Sequence, residues 1–345
     1  MSKERNCIVD IMRGMAILMV VLGHTMTGCT QGAEKSFLYN IVWSLQMPLF
    51  ILISGYVTKY SRDTDSVSSL WNYIKRRTVA YLLPWAVWSF LVRGIINGNH
   101  KYLDIKWLLW HMDSGYWFLA TIWTISMIFG CARFLAVKAS KQDGVKRQVV
   151  FFLLYLTGMA LLAVIGKIAG ISFLAIKLTL YYMPFYYSGY LFGTYSERIF
   201  SKDFGKKAVD VAVAICGVAW IYLLTRYQIF DLEDGGISVI IRATASMTGC
   251  IAVCGLCSAL ISSRVLDSRI SKALVWVGTH SLEIYLAHYI FLDLIKMKKV
   301  PVFSSVSGVS LTAANWIIAV FAVSTLILLT EKNSFFKLGL YGRKK

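Results

Sequence analysis

The chain has 345 residues, 57% of them hydrophobic, a mean hydropathy of +0.61, and a formal charge of +18 from 36 Lys and Arg against 18 Asp and Glu. Apolar runs of about 18 residues or more recur from end to end, as bilayer-spanning helices require, which excludes an ordinary soluble core. The excess charge would suggest nucleic acid in a soluble protein, but it sits mostly in short loops and reads first as membrane topology.

Ten spans are expected, over 8–26, 37–57, 78–97, 115–137, 148–169, 171–195, 207–225, 237–261, 273–295 and 310–331. The expected fold is therefore an all-α polytopic membrane helical bundle of about ten transmembrane helices. It forms a single domain over 1–345 with its core at 8–331 and no separate soluble domain. With the N-terminus in the cytoplasm, 23 basic residues fall in inside segments and 8 in outside ones, a positive-inside bias that puts both termini in the cytoplasm. The inside set includes Lys3, Arg5, Arg62, Lys141, Lys202, Arg264, Lys344 and Lys345. The first run is read as a permanent span rather than a cleaved leader, because it holds Asp10 and Arg13 and ends in Gly-His-Thr.

That first span organises the chain. Arg13 and His24 are eleven positions apart, about three helical turns, so both project from one face roughly 16 Å apart along the axis. Ionisable groups inside a bilayer are costly and usually face a cavity or a partner, so the pair reads as a functional site. The bland alternative is a snorkelling Arg and an inter-helix His. His24 is the candidate base, since a neutral imidazole takes a proton from a hydroxyl at ordinary pH. Asp10, fourteen positions away, cannot touch it. Glu283 and Asp293 are partners only if the helices pack suitably.

In the second span, Ser54 precedes Gly55 and reads as a packing or cavity hydroxyl rather than a nucleophile. Lys75-Arg76-Arg77 is expected on the cytoplasmic side just before the third span, where three cations suit topology and also phosphates. A phosphate-bearing donor held there and by Arg13 would thread its reactive end toward His24. Outside, 97–115 carries Trp107 and Trp110, followed by Tyr116 and Trp117; an interfacial helix with an aromatic belt, or a substrate lip, fits. Arg93 and Arg133 lie near span ends, whereas Lys177 and Arg242 are expected deeper. Gly166-x-x-x-Gly170 and Gly189-x-x-x-Gly193 fit close helix packing, as do Cys254 and Cys257. In the ninth span Ser281, Tyr285 and His288 share a face, near His280 and Glu283. A polar helix contact, a substrate lining and a metal site all compete there, the last with too few ligands. No phosphate-binding Gly-x-x-x-x-Gly-Lys loop and no Gly-x-Ser-x-Gly elbow is present.

Arg13…His24, Met47-Pro-Leu-Phe-Ile-Leu-Ile-Ser-Gly-Tyr56, Tyr116-Trp-Phe-Leu119 and Ser281-Leu-Glu-Ile-Tyr-Leu-Ala-His288 together resemble, in order, the motifs of the acyltransferase-3 family of integral membrane acyltransferases. The first motif is closest to fucose 4-O-acetylase-like sugar O-acetylases. The resemblance implies ten core spans and acyl-CoA, commonly acetyl-CoA, as cytoplasmic donor. It implies O-acetylation of a cell-envelope glycan or lipid-linked sugar at the cytoplasmic (inner) membrane. It makes His24 the catalytic residue and Arg13 its companion. Lys75, Arg76 and Arg77 would bind the donor; Asp10, Ser54, Trp117, Glu283 and His288 would line the substrate path; no metal and no nucleic acid are involved. The chain departs from the family's Arg-x-x-Arg donor motif, since Val79 and Ala80 stand three positions after Arg76 and Arg77. The competing reading is a polytopic transporter or flippase for an envelope precursor, against which no repeat of broken segments is visible. A third is a non-enzymatic partner of an envelope assembly.

Overall fold

The computed structural model describes residues 7–61, 64–140, 144–201, 203–232, 235–260 and 268–343. Lys3, Arg5, Arg62, Lys141, Lys202, Arg264, Lys344 and Lys345 of the charge count lie outside these, as does residue 261 at the end of one expected span. Among the described residues there is no strand, only an isolated bridge between Gln31 and Val302. Eight helical stretches among them are long and apolar enough to cross a membrane. The protein is an all-α, multi-pass membrane bundle.

The helices are α1 Cys7–Cys29, α2 Phe37–Tyr56, α3 Val67–Val87, α4 Ile105–Trp110, α5 Trp117–Ala139, α6 Val145–Ala169, α7 Ile176–Phe200, α8 Asp203–Arg226, α9 Gly236–Leu260, α10 Arg269–Thr279, α11 Ser281–Ala287, α12 Val306–Thr330 and α13 Ser334–Tyr341. Two expected spans are not among the eight. α7 has the length, at 25 residues, but is tyrosine-rich and holds Lys177, Glu197 and Arg198. The expected span 273–295 is interrupted. The Trp276 carbonyl accepts from Thr279 Oγ1 at 2.8 Å, His280 Nδ1 at 2.8 Å and the His280 amide at 3.1 Å. Side chains thus compete for a helix carbonyl and end α10. His280 then accepts the first bond of α11 from Ile284 N at 2.9 Å.

The third helix also begins earlier than the apolar pattern implies. Ser66 and Ser69 form a reciprocal capping box, with bonds of 3.1 and 3.0 Å, so a polar first half precedes the apolar one. Lys75, Arg76 and Arg77 consequently lie on α3 itself, not before it. After Val87 the helix widens into a π-helical stretch, Trp88–Ile96. Residues 97–115 hold the short helix α4.

The chain forms two compact units. The first comprises Met1–Lys59 and Tyr187–Leu329. Within it α1 packs along α2, α10 and α11, and α8 pairs with α9. Small residues set the closest approaches. A Cβ on Gly189 would meet the Leu52 carbonyl and one on Gly193 that of Tyr56, so that motif seats α7 on α2. A Cβ on Gly278 would meet the Asp10 carbonyl, and one on Gly14 the Leu274 carbonyl, so α1 and α10 touch backbone to backbone. Buried amides close the loops. Asn40 donates to the Leu224 and Tyr227 carbonyls at 3.0 and 2.8 Å and accepts from Ile229 N at 2.8 Å, satisfying the orphan carbonyls at the end of α8. Asn315 on α12 accepts from Ile295 N at 2.8 Å and donates to its carbonyl at 3.0 Å. Apolar residues such as Val211, Ile215 and Val218 face outward on α8, the face lipid would cover.

The second unit comprises Tyr60–Tyr186 and Thr330–Lys345. α3 packs on α5, and α5 on α6. Its core is aromatic: the ring of Phe129 lies edge-on to those of Phe151 at 5.1 Å and Tyr186 at 5.2 Å. Tyr73 fills the space over Gly130 and donates to the Ser126 carbonyl at 3.2 Å. The C-terminal helix α13 docks on α3. Leu340 accepts from Trp88 Nε1 at 2.7 Å, and Gly342, at φ +64, passes close to the Val79–Ala80 backbone.

Candidate active site

α1 supplies the two polar positions that organise the first unit. Asp10 is buried in the first turn, where a carboxylate also suits the helix dipole. Arg13, half-buried, reaches back to it, with Nη1 3.7 Å from Asp10 Oδ1. Asp10 therefore partners Arg13, consistent with its being too far along the helix to partner His24.

His24 lies half-buried eleven residues further along α1. Since Gly14 meets α10 near Leu274 and Gly278, and His24 meets Tyr289, α1 and the broken α10–α11 segment run in the same direction. The His24 Nε2 is 3.1 Å from the Tyr289 hydroxyl, a hydrogen bond. The rings of His24, His288 and Tyr289 form a triangle, with centroids 5.2 Å, 4.9 Å and 4.2 Å apart. His288 is fully buried. Its Nδ1–H donates to the Tyr285 carbonyl at 2.7 Å and, more weakly, to that of Ile284 at 3.2 Å. That fixes the ring and puts the lone pair of a neutral imidazole on Nε2.

Three contacts hold this corner in place. The Cys29 thiol donates to the Leu292 carbonyl at 3.5 Å, Asn315 clamps Ile295, and the Gln31 backbone bonds Pro301 O and Phe303 N at 3.0 and 2.9 Å. From α2, Gln46 Oε1 packs against α1 at Gly23, next to His24, and has no hydrogen-bond partner among the described residues. A buried amide oxygen left so costs about 1–3 kcal/mol, which a hydroxyl donor would recover.

The other predicted residues are placed as follows. Glu283 is fully buried in the first turn of α11. Asp293 is exposed and pairs with Lys296 at 3.2 Å, which does not make it a partner of His24. Ser54 donates to the Phe50 carbonyl of its own helix at 2.8 Å. These residues belong to the first unit.

In the second unit the three adjacent cations splay, because neighbours on a helix point about 100° apart. Lys75 is exposed, its Nζ 5.5 Å from the Trp71 ring centre. Arg76 is exposed, with Nε 3.3 Å from the Asn72 carbonyl. Arg77 turns inward, donating to the Tyr81 hydroxyl at 2.9 Å and lying 5.3 Å from the Tyr73 ring centre. Trp117 begins α5 and stacks on Tyr182 at 5.6 Å, 14° from parallel. Lys177, expected deep in a span, is the second residue of α7 and exposed. Arg93 lies between the Tyr102 and Tyr116 rings, 5.8 and 5.6 Å from their centres. Cys254 and Cys257 are free thiols on α9.

Two residues escaped the sequence reading. Tyr289 follows a flagged histidine, but it is one of 19 tyrosines, and no periodicity marks it. Gln46 precedes the Met47-Pro48 motif and carries no sequence signal of its own.

The fold is that of a polytopic membrane protein, and its first unit brings together a half-buried His, an ion-paired Arg on the same helix and a half-buried phenol beside the His. The chain belongs to the acyltransferase-3 family: the family's sequence model, described as an acyltransferase domain, matches residues 8–330. It is thus a multi-pass membrane protein of that family. It is similar to nodulation protein NolL of Sinorhizobium fredii (strain NBRC 101917 / NGR234), 24% identical over 128 residues that cover 32% of this chain and 34% of that protein. The match thus spans about a third of the length of that curated relative. No solved structure matches the chain.

Proposed function

We propose that the protein is a cytoplasmic-membrane O-acetyltransferase. It moves an acetyl group from cytoplasmic acetyl-CoA to a hydroxyl of a cell-envelope glycan or a lipid-linked saccharide. The observation that carries the reading is His24: a half-buried imidazole on a membrane helix, hydrogen-bonded at Nε2 to a hydroxyl, in a chain whose family transfers acyl groups.

In this reading His24 is the general base. It accepts the proton released when the acceptor oxygen attacks the thioester carbonyl. The C–O bond forms, the C–S bond breaks, and the leaving thiolate takes the proton from the imidazolium. Arg13, paired with Asp10, is assigned to the anionic donor. Lys75 and Arg76, exposed on α3, attract the donor's phosphates, while Arg77 is committed to its tyrosines. Asp10, Ser54, Glu283 and His288, all in the first unit, are assigned to the lining of the substrate path. Both termini are cytoplasmic, as the charge bias implies.

The test is thiol release from acetyl-CoA by purified protein in nanodiscs, with glycerol as a simple acceptor. His24→Ala is expected to lower turnover by about 10²-fold or more while the variant keeps its size-exclusion profile. Turnover equal to wild type in a folded variant would sink the mechanism.

A further inference from the structure

Tyr289 stands on the atom the proposed chemistry needs. A base that takes a proton from an acceptor hydroxyl offers a nitrogen lone pair to it. Here the His24 nitrogen in question, Nε2, already faces a hydroxyl, that of Tyr289 at 3.1 Å. Drawn with the phenol as donor, His24 carries its proton on Nδ1 and its lone pair on Nε2. An incoming acceptor then has two routes: displace the phenol, or react through it.

The surroundings favour the second. The Tyr289 ring is packed between His24 at 4.9 Å and His288 at 4.2 Å. His288 is itself fully buried and tied to the Tyr285 carbonyl at 2.7 Å. The chain just beyond is clamped by Asn315 at Ile295 and by the Cys29 thiol at Leu292. Swinging the ring away would break these tilted ring contacts. Tyr289 nevertheless remains half-buried rather than sealed.

We propose that Tyr289 passes the proton from the acceptor to His24; this deepens, and rests on, the acyltransferase reading. The acceptor O–H bond breaks and its proton goes to the phenol oxygen, whose own proton moves to His24 Nε2. The acceptor oxygen bonds to the thioester carbonyl carbon as the C–S bond breaks. The His24 imidazolium then returns its Nε2 proton to the phenol oxygen as the phenol's own proton passes to the thiolate. Tyr289 ends the cycle as it began, a neutral phenol. His24 acts on the acceptor at one remove, so the acceptor is recognised by a phenol rather than an imidazole. The structure thus assigns a catalytic residue beyond Arg13 and His24.

The experiment compares wild type, Tyr289→Phe and His24→Ala in nanodiscs. Phe keeps the ring and its packing and removes only the hydroxyl. Thiol release from acetyl-CoA with glycerol as acceptor gives kcat and the KM for acetyl-CoA. For Tyr289→Phe, kcat is expected to fall by about 10²-fold or more with KM for acetyl-CoA within about two-fold. Rates across H2O/D2O mixtures add a readout that a merely structural role would not move. Two protons in flight give a curved dependence in wild type; one gives a straight line in Tyr289→Phe. A third readout needs no turnover: in protein labelled with 15N-histidine, the His24 Nε2 signal is expected to move when the phenol is removed. Wild-type kcat in Tyr289→Phe beside an inactive His24→Ala overturns the relay alone. So does a lowered kcat with an unchanged isotope curve, or a stationary Nε2 signal. No thiol release by wild type, or full activity in His24→Ala, overturns the acyltransferase chemistry at His24 and the relay with it.

Discussion

Replacing Gly278 by Ala is the smallest change that should disturb the site from a distance. The added methyl would sit against the Asp10 carbonyl and close to the Gly14 amide, both backbone atoms with no rotamer to yield. Reaching ordinary van der Waals contact requires α1 and α10 to part by roughly 1.5 Å. Overpacking of this kind costs about 1–3 kcal/mol, and a misplacement near 1 Å at a catalytic group costs about 10²-fold in rate. The seam touches the Asp10 carbonyl and adjoins Arg13, and α10 leads directly into α11 and the His288–Tyr289 corner. Thiol release is therefore expected to drop by one to two orders of magnitude, in step with a lower thermal midpoint in detergent. The control is Gly217→Ala on α8, where the new Cβ meets only the Ala252 methyl at 3.8 Å. That change should leave activity alone and stabilise by a few tenths to about 1 kcal/mol through helix propensity. Equal, small effects from the two substitutions would refute the claim that the Gly14–Gly278 seam positions the site.

Other expectations follow from the same geometry. Asn40→Ala removes one donor–acceptor group serving Leu224, Tyr227 and Ile229. It should cost about 2–3 kcal/mol, read as a lower thermal midpoint with no change in the KM for acetyl-CoA; an unshifted midpoint would refute the clamp. Arg77→Met should destabilise, because a guanidinium bonded to Tyr81 and lying over Tyr73 is lost, at about 1–2 kcal/mol. Arg76→Ala should leave stability alone and raise the KM for acetyl-CoA; the reverse pattern would exchange their roles. Arg13→Gln should weaken the donor more than it slows the acceptor, and an unaltered KM for acetyl-CoA would count against Arg13 as a donor ligand.

Much of the helical frame was legible because hydropathy alone marks a spanning helix, and Arg13 and His24 stood out because charge within such a run is expensive. What the sequence hid was set by short-range competition and by partners remote in the chain. The start of α3 depended on two serines that cap each other, which carried Lys75, Arg76 and Arg77 onto the helix and splayed them apart. The break after Thr279 arose from two side chains reaching for one carbonyl, which no hydrophobic period records. The apolar pattern places Lys177 deep because it takes the preceding turn, with Leu174 and Ala175 at positive φ, into the span. Tyr289 and Gln46 became visible only once α1 was seen packed between α2 and the broken segment.

The central claim is that acyl transfer to oxygen runs through His24. Membranes carrying the protein would be incubated with acetyl-CoA labelled in the acetyl group, and lipid-linked and polymeric saccharide fractions collected. Label that enters these fractions with wild type, is released as acetate by mild base, and fails to enter with His24→Ala is the predicted result. Label that enters equally with the folded His24→Ala variant, or that resists mild base, would contradict the account.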